Sequence, residues 1–318
     1  MPPSLTDVPG LLVGQVTDAD GGTGCTVVLG PREGMPCTAF VRGRATGSRE
    51  LDACRPESLA GRVDAILLAG GSAYGLAAAD GVVRWLSEQG RGFPVGPLTV
   101  PIVPAAVVFD LGPCGRPDAR PDAAMGMAAC VAAGPDVAEG SVGAGTGATV
   151  GKALGPEAAT KGGVGSWAVR AGAVVVGALV VVNAFGDVVD ESGAIVAGAR
   201  HGDGAFVNAA AYLAAGGTPF GSFARATHQT TLVVVATNAT LDRLALGGVA
   251  RAAADGMARR ILPVGTAYDG DIVFACSAGA AAGTGLQVEQ LAREAVETAI
   301  LRAVRAARGR DGIPGLAG

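Results

Sequence analysis

Short apolar runs alternate with helical patterns along most of the chain. Residues 63–68 and 230–236 are runs rich in Val and Leu, and residues 271–275 form a shorter one. Runs of this length are typical of strands that are covered on both faces. Helical periodicity predicts three helices, over residues 76–89, 240–260 and 286–308. Glycines stand where the first and the last of these helices should stop.

Other segments predict less regular structure. Residues 100–109 resemble a strand, but two prolines within it indicate an irregular or edge strand. A helix is expected from Pro121, in its first turn, to about residue 133. The remaining expectations are a hairpin of residues 173–182 and 187–196 with its turn at 183–186, loops and short strands over 140–165, and mostly loop over 198–229.

The composition fits a large core of small residues. Hydrophobic residues make up 49% of the 318 positions, but aromatic residues only 4%, and there are 52 glycines. We therefore expect cores of Val, Ala and Leu in which backbones approach closely. Neither a repeat nor a linker divides the chain. The sequence predicts one α/β domain over residues 1–318, with sheets inside and helices outside.

Charge and cysteine usage exclude several classes of protein. The net charge is −4 and no basic cluster is present, so we expect no nucleic-acid or membrane partner. The longest apolar run, residues 171–182, is too short to span a bilayer. The first residues lack the features of a signal peptide. Six scattered cysteines without CxxC spacing favour reduced thiols, a cytoplasmic location and no zinc site. With only His201 and His228 present, a histidine triad is not expected, and neither is a metal or another cofactor.

Three short motifs resemble ligand-binding loops without fulfilling their requirements. Residues 143–148 fit GxGxxA, yet no helical pattern follows, as a dinucleotide site would need. Residues 147–152 are one residue short of a phosphate loop, and Ala153 replaces its Ser/Thr. Residues 268–271 resemble the start of a calcium loop whose other ligand positions are apolar.

Thr230 is the candidate nucleophile. It enters the predicted strand of residues 230–236, where a hydroxyl would be held rigidly. If the Gln229–Thr230 bond were cut, Thr230 would carry a free α-amino group beside its own hydroxyl, which is a self-contained nucleophile and base. The alternative is that two threonines simply begin a strand, since Thr suits β structure.

Asp269 and Asp271 form a candidate acid/base pair. They lie two residues apart at the entrance to a predicted strand, so their side chains should share one face. Two close carboxyls raise the proton affinity of one of them, and a nearby ammonium would hold both ionised. The alternative is a solvated turn.

Five segments together resemble the self-processing β-aminopeptidase and D-amidase family (DmpA type), to which the nylon-oligomer (6-aminohexanoate) hydrolases are closely related. The resemblance covers about residues 10–305. The segments, in chain order, are LAGGSAYGL at 68–76, KGGVGS at 161–166, VVVN at 180–183, TTLVVVATN at 230–238 and DGDIVFA at 269–275.

The resemblance implies a fold and roles for individual residues. The fold would be a four-layer αββα sandwich like that of N-terminal-nucleophile hydrolases and ornithine acetyltransferase. The chain would cleave itself between Gln229 and Thr230, giving residues 1–229 and 230–318. Asn183 would donate to the oxyanion and Lys152 would lie near the nucleophile. Asp269 and Asp271 would order the new amino terminus, and Tyr74 would line the substrate pocket.

The resemblance implies an amide hydrolase acting on small peptides or linear amides through an acyl-enzyme on Thr230, assembled as a homotetramer. Two alternatives stay open. One is an endo-type hydrolase of 6-aminohexanoate oligomers, and the other is an acyltransferase of the ornithine acetyltransferase type. Relatives usually carry Asn or Gly where this chain has Gln229, which puts the rate of self-cleavage in doubt.

Overall fold

The computed structural model describes residues 2–218 and 229–318. Two five-stranded sheets form the interior, and smaller sheets lie beside them. The strands of the described residues are β1 (Leu12–Asp18), β2 (Thr23–Leu29), β3 (Cys37–Val41), β4 (Ser48–Arg49), β5 (Ala65–Ala69), β6 (Phe93–Val95), β7 (Leu98–Val100), β8 (Ala105–Val107), β9 (Thr149–Val150), β10 (Thr160–Lys161), β11 (Gly163–Ala171), β12 (Val174–Asn183), β13 (Asp187–Val189), β14 (Ile195–Ala197), β15 (Thr230–Ala239), β16 (Ile261–Leu262) and β17 (Ile272–Ala281).

The first large sheet has the order β1-β2-β5-β8-β4, and the second has the order β11-β12-β15-β17-β3. Strand β15 lies at the centre of the second sheet, antiparallel to β12 and parallel to β17. Every residue of β12 is buried, which explains its uninterrupted run of small and β-branched residues.

The described residues form five helices, four of which cover the outer faces of the two large sheets. They are α1 (Ala78–Glu88), α2 (Ala123–Val131), α3 (Ala209–Ala214), α4 (Arg243–Arg260) and α5 (Gly285–Arg305). Helices α1 and α2 pack on the first sheet, and α4 and α5 pack on the second. Asp122, Asp242 and Thr284 cap α2, α4 and α5 through side-chain oxygens that accept backbone N–H groups.

A third core lies between the two sheets. Val28, Ile66 and Leu68 of the first sheet meet Leu232 and Phe274 of the second there. With the two outer cores, this gives the layer order helix, sheet, sheet, helix. The four-layer αββα sandwich expected from the sequence is confirmed.

Most of the predicted elements are present. Strands β5, β15 and β17 and helices α1, α4 and α5 lie where the apolar runs and helical patterns placed them. The first of these helices begins as a 3₁₀ turn, Ser72–Ala77, before α1. Residues 140–165 contain short strands and two 3₁₀ turns, as expected, and then the start of the nine-residue strand β11.

Three predictions of local structure were wrong in whole or in part. Segments 173–182 and 187–196 do not pair, because β12 already has β11 and β15 on its two edges; β13 pairs instead with β14 and β16. Residues 100–109 are irregular, as one of the two alternatives predicted: only β8 of this segment joins a large sheet. The edge alternative is wrong, because β8 lies between β5 and β4. Helix α2 begins after Pro121, because Asp122 is its cap.

Residues 198–229 contain helix α3 as well as loops, while Pro219 and His228 lie outside the described residues. All six cysteines are buried and unpaired. Within residues 2–218 and 229–318, every helix is too short or too polar to cross a membrane.

Candidate active site

Strands β12 and β15 bring Asn183 and Thr230 together. Asn183 is the last residue of β12 and Thr230 the first of β15, and the antiparallel register places them opposite each other. Both side chains are buried. Since the two residues are 47 positions apart in the chain, this pairing depends on sheet register and could not be deduced from local spacing.

The peptide group between Gln229 and Thr230 is fixed by hydrogen bonds from both of its neighbouring segments. Its carbonyl oxygen, which belongs to Gln229, accepts a 2.6 Å hydrogen bond from the backbone N–H of Gly270. The same oxygen accepts the hydroxyl of Thr230, with Oγ1 at 2.7 Å. The N–H of Gln229 donates to the carbonyl of Tyr268 at 3.2 Å. The nucleophile candidate therefore lies beside the carbonyl that it would attack, and a donor already faces the oxygen of that carbonyl.

Gly270 has no room for a side chain. A Cβ atom there would lie 2.5 Å from the carbonyl oxygen of Ala45 and 2.8 Å from the hydroxyl oxygen of Thr230. Separations this short do not occur between non-bonded atoms at such positions, so only glycine lets the backbone come this close to the hydroxyl. Steric crowding thus explains why the middle residue of the Asp-Gly-Asp segment is glycine.

The two aspartates flank Gly270, and both are buried. Asp271 accepts the N–H groups of Thr231 at 2.7 Å and Gly265 at 3.1 Å. Asp269 accepts the N–H and the hydroxyl of Thr266 through Oδ2, at 2.8 and 2.7 Å. The solvated-turn alternative is therefore wrong. Burial, and then the charge of Asp269, raise the pKa of the Asp271 carboxyl.

Lys152 and Asn183 are joined by two hydrogen bonds. The Lys152 Nζ atom donates to the backbone oxygen and to Oδ1 of Asn183, each at 2.9 Å. Burial lowers the pKa of Lys152 to about 7, although the charge of Asp269 acts in the opposite direction. A neutral amine that donates two N–H bonds keeps one lone pair, so this lysine can accept a proton near neutral pH.

The amide group of Asn183 uses both of its ends. Its Oδ1 also accepts the N–H of Thr149 at 3.0 Å, and its Nδ2 donates to the carbonyl of Phe109 at 3.2 Å. In the uncleaved chain the amide donor therefore faces a protein carbonyl. The second N–H of this nitrogen is the one that could serve an oxyanion.

A cavity of about 280 Å³ opens beside Thr230. Its described lining consists of Arg44, Ala45, Thr46, Gly47, Ser72, Ala73, Val107, Phe109, Thr230 and Ala267. Tyr74 is not among these residues: its side chain is 57% exposed and stacks under the guanidinium of Arg120, 3.5 Å from the ring centroid. The preceding residues, Ser72 and Ala73, occupy the wall of the cavity, so the pocket-lining role of Tyr74 stays a prediction.

Some residues of the site carry no motif and escaped prediction. The backbone N–H groups of Arg44 and Ala45 donate to the carbonyl of Asp269 at 2.7 and 2.9 Å, which ties the β3–β4 loop to the site. Phe109 contributes a carbonyl from the end of another sheet. Their roles follow from backbone position, which side-chain identity does not encode. Within the described residues, no cluster of three His, Cys, Asp or Glu side chains could hold a metal.

Comparisons with known proteins identify the family of the chain. The sequence model of peptidase family S58 matches residues 3–316. An uncharacterized aminopeptidase of Mycobacterium tuberculosis is 45% identical over 293 residues, covering 88% of this chain and 82% of that protein. A 6-aminohexanoate-oligomer endohydrolase of a Kocuria species is 33% identical over 282 residues, covering 85% of this chain and 73% of that protein.

Two solved structures share the fold. A β-aminopeptidase of a Burkholderia species superposes with a TM-score of 0.72 at 24% identity, covering 99% of this chain and 92% of that one. The L-aminopeptidase D-Ala-esterase/amidase of Ochrobactrum anthropi, described as a variant of the Ntn-hydrolase fold, has a TM-score of 0.70 at 20% identity. It covers 96% of this chain, and 87% of its own length is matched.

Proposed function

The chain belongs to peptidase family S58, and from that membership we propose that it is an amide hydrolase whose nucleophile, Thr230, is released by cleavage of its own Gln229–Thr230 bond. The observation that carries the proposal is the arrangement around the Gln229 carbonyl. Its oxygen accepts both the Thr230 hydroxyl and the Gly270 N–H. These are the two groups that an intramolecular acyl transfer needs, a nucleophile and an oxyanion donor.

Maturation would proceed by an N–O acyl shift. The Thr230 Oγ1 atom attacks the carbonyl carbon of Gln229, and its proton passes to a base. The carbon–nitrogen bond breaks, the Thr230 nitrogen takes up a proton, and an ester remains between Gln229 and Thr230. Water then hydrolyses that ester and leaves a carboxylate on Gln229. Negative charge develops on the oxygen that the Gly270 N–H already faces, so this donor stabilises the tetrahedral state.

Lys152 is the proposed base for the first step. It is buried, its pKa is lowered to about 7, and its two donated hydrogen bonds hold Nζ against Asn183, the strand partner of Thr230. An amine with a pKa near the operating pH is suited to proton transfer, because a large neutral fraction coexists with useful basicity.

Turnover would use the same atoms with a substrate amide in place of the Gln229 carbonyl. The new α-amino group of Thr230, with an ordinary pKa of about 7.7–8.0, accepts the hydroxyl proton. Departure of Gln229 frees the Gly270 N–H for the substrate oxyanion. Asn183 Nδ2 supplies a second donor through the N–H that is not bonded to Phe109. Asp271, fixed to the N–H of Thr231, holds the start of the strand in place.

The proposed substrates are small peptides or linear amides, since the cavity lies at the small end of the range for ligand pockets. Hydrolysis of 6-aminohexanoate oligomers is a second candidate. It is favoured by the 33% identity to the endohydrolase named for that substrate.

The proposal is tested with a matched pair of neighbouring threonines. Thr230→Ala should give an intact chain without amidase activity. Thr231→Val keeps a β-branched side chain at a buried strand position and leaves the N–H bonded to Asp271, so it should still separate into chains of 229 and 89 residues and remain active. Full activity in Thr230→Ala, measured on a panel of p-nitroanilides and the 6-aminohexanoate dimer, would refute the mechanism.

A further inference from the structure

We infer that Arg44 binds a carboxylate of the substrate, so that the enzyme prefers small amides bearing a free carboxylate group. The inference deepens the proposed function and rests on it, because it assigns specificity to the cavity beside Thr230. Arg44 carries the only charged side chain among the described residues that line this cavity. The other described lining residues are small, hydroxylic or apolar.

The guanidinium of Arg44 is available to a ligand. Within residues 2–218 and 229–318 it forms no hydrogen bond or ion pair, and the residue is exposed at the cavity. Its neighbours in sequence are engaged elsewhere. Arg42 donates to the carbonyl of Ala254 at 3.3 Å, and Arg49 pairs with Asp80 at 2.5 Å. Of these three arginines, only Arg44 lines the cavity that contains the nucleophile.

The backbone of Arg44 is fixed to the catalytic segment. Four N–H groups, from Arg42 to Ala45, donate to the carbonyls of Asp269 and Asp271 at distances between 2.7 and 3.1 Å. Gly43 makes this approach possible, because a Cβ there would lie 2.3 Å from the Asp269 oxygen. The loop that carries Arg44 is therefore tied to the residues on either side of Gly270.

This arrangement selects a chemical class of substrate. A guanidinium presents paired donors that match the two oxygens of a carboxylate. No described lining residue has a carboxylate of its own to accept a substrate ammonium. A negatively charged group on the substrate is thus favoured at this cavity, and a positively charged group close to Arg44 is disfavoured.

The test compares amides that differ only in the carboxylate. One pair places it on the leaving group: alanyl-alanine and alanyl-alanine amide. The other places it on the acyl group: glutaric acid mono-p-nitroanilide and its terminal amide. The readout is the ratio of kcat/KM for the acid to kcat/KM for the amide, in the wild type and in Arg44→Gln, Arg44→Lys and Arg49→Gln.

In at least one pair, Arg44→Gln should lower this ratio about tenfold or more, since hydrogen bonds between charged groups contribute that much. Arg44→Lys should retain part of the preference, and Arg49→Gln should match the wild type. The pair that responds identifies the side of the scissile bond that Arg44 serves. An unchanged ratio for Arg44→Gln in both pairs would overturn the inference while leaving the proposed function intact. Absence of Thr230-dependent hydrolysis of every substrate would overturn both.

Discussion

The backbone N–H of Gly270 lies 2.6 Å from the carbonyl oxygen of Gln229, on the peptide bond that joins Gln229 to Thr230. Gly270 is brought there by the loop that precedes β17, which runs parallel to β15 in the second sheet. The same parallel pairing places Asp269 beside Gln229 in an isolated bridge. One structural feature, the side-by-side start of two parallel strands, thus supplies the donor, the two carboxyls and the nucleophile.

The first prediction concerns the space at Gly270. Gly270→Ala keeps the N–H group but introduces a methyl group 2.8 Å from the Thr230 hydroxyl, so self-cleavage should be slowed at least a hundredfold. Cleavage is followed by denaturing gel electrophoresis after refolding. Gly247→Ala on α4 is the matched control, because the nearest atom to its new methyl group is the flexible end of Arg251, 3.4 Å away. Equal rates of self-cleavage in the two variants would show that the space at Gly270 is not required.

The second prediction concerns the pH dependence of self-cleavage. If Lys152 is the base, the rate should rise about tenfold per pH unit below about 7 and level off above it, since only the neutral amine accepts a proton. Precursor collected in urea after brief expression and refolded at each pH gives this profile. Lys152→Met should abolish the pH-dependent phase. A rate independent of pH between 5 and 8 would exclude the lysine.

The third prediction tests the assignment of Lys152 as the base by changing its hydrogen-bond partner Asn183. Asn183→Asp places a carboxylate at the position of Oδ1, which is 2.9 Å from the Lys152 Nζ atom. An opposite charge this close raises the pKa of the lysine by about 1–3 units, so the profile should move to higher pH by that amount. Asn238→Asp, at the opposite end of β15 from Thr230, adds the same charge far along the strand from Lys152 and should leave the profile in place. A profile that does not move in Asn183→Asp would contradict the assignment.

The fourth prediction concerns stability. Burial raises the pKa values of Asp110 and Asp187 to about 6. A carboxyl whose pKa is higher in the folded chain holds its proton there after the unfolded chain has lost it. The unfolded chain therefore binds fewer protons between about pH 4 and 6, and the free energy of unfolding falls as pH rises through that range.

Asp110→Asn should reduce this fall. The new amide can keep both contacts, accepting the N–H of Gly71 and donating to the Thr23 hydroxyl, but it does not titrate. On the scale of 1.36 kcal/mol per pKa unit, the difference in the free energy of unfolding between wild type and variant should change by about 2 kcal/mol from pH 4 to 7. Urea denaturation in the uncleaved Thr230→Ala background measures it. If the free energy of unfolding changed with pH in the same way with Asp110 and with Asn at this position, the prediction would be contradicted.

Hydrophobic pattern predicted most of the fold, because the longest elements are those with the clearest periodicity. Strand β15 and helix α5 lie close to the predicted bounds. The expected pairing of residues 173–182 with 187–196 failed because a strand's partners depend on which strands fill its edges, and β15 comes from 47 residues further along the chain. Local sequence does not show which distant strands will pair with the edges of β12.

The candidate site also contains a part that could be predicted from the sequence and a part that could not. Thr230, Asn183, Lys152 and the two aspartates were reached through residue type and family resemblance, and the structure places them together. The Gly270 N–H, the Phe109 carbonyl and the β3–β4 loop act through their backbones. Apart from the glycines that close approach requires at positions 43 and 270, side-chain identity does not mark these groups. Such groups become visible only when the sheets are assembled.

The intact mass of the freshly purified, active wild-type protein tests the central claim most directly. The account predicts two polypeptides, residues 1–229 and 230–318, with the second beginning at Thr230 and bearing a free amino group. It further predicts that the fraction of cleaved chain equals the fraction of active sites titrated by an acylating inhibitor. Full amidase activity in a protein whose mass is that of one unbroken chain would contradict it.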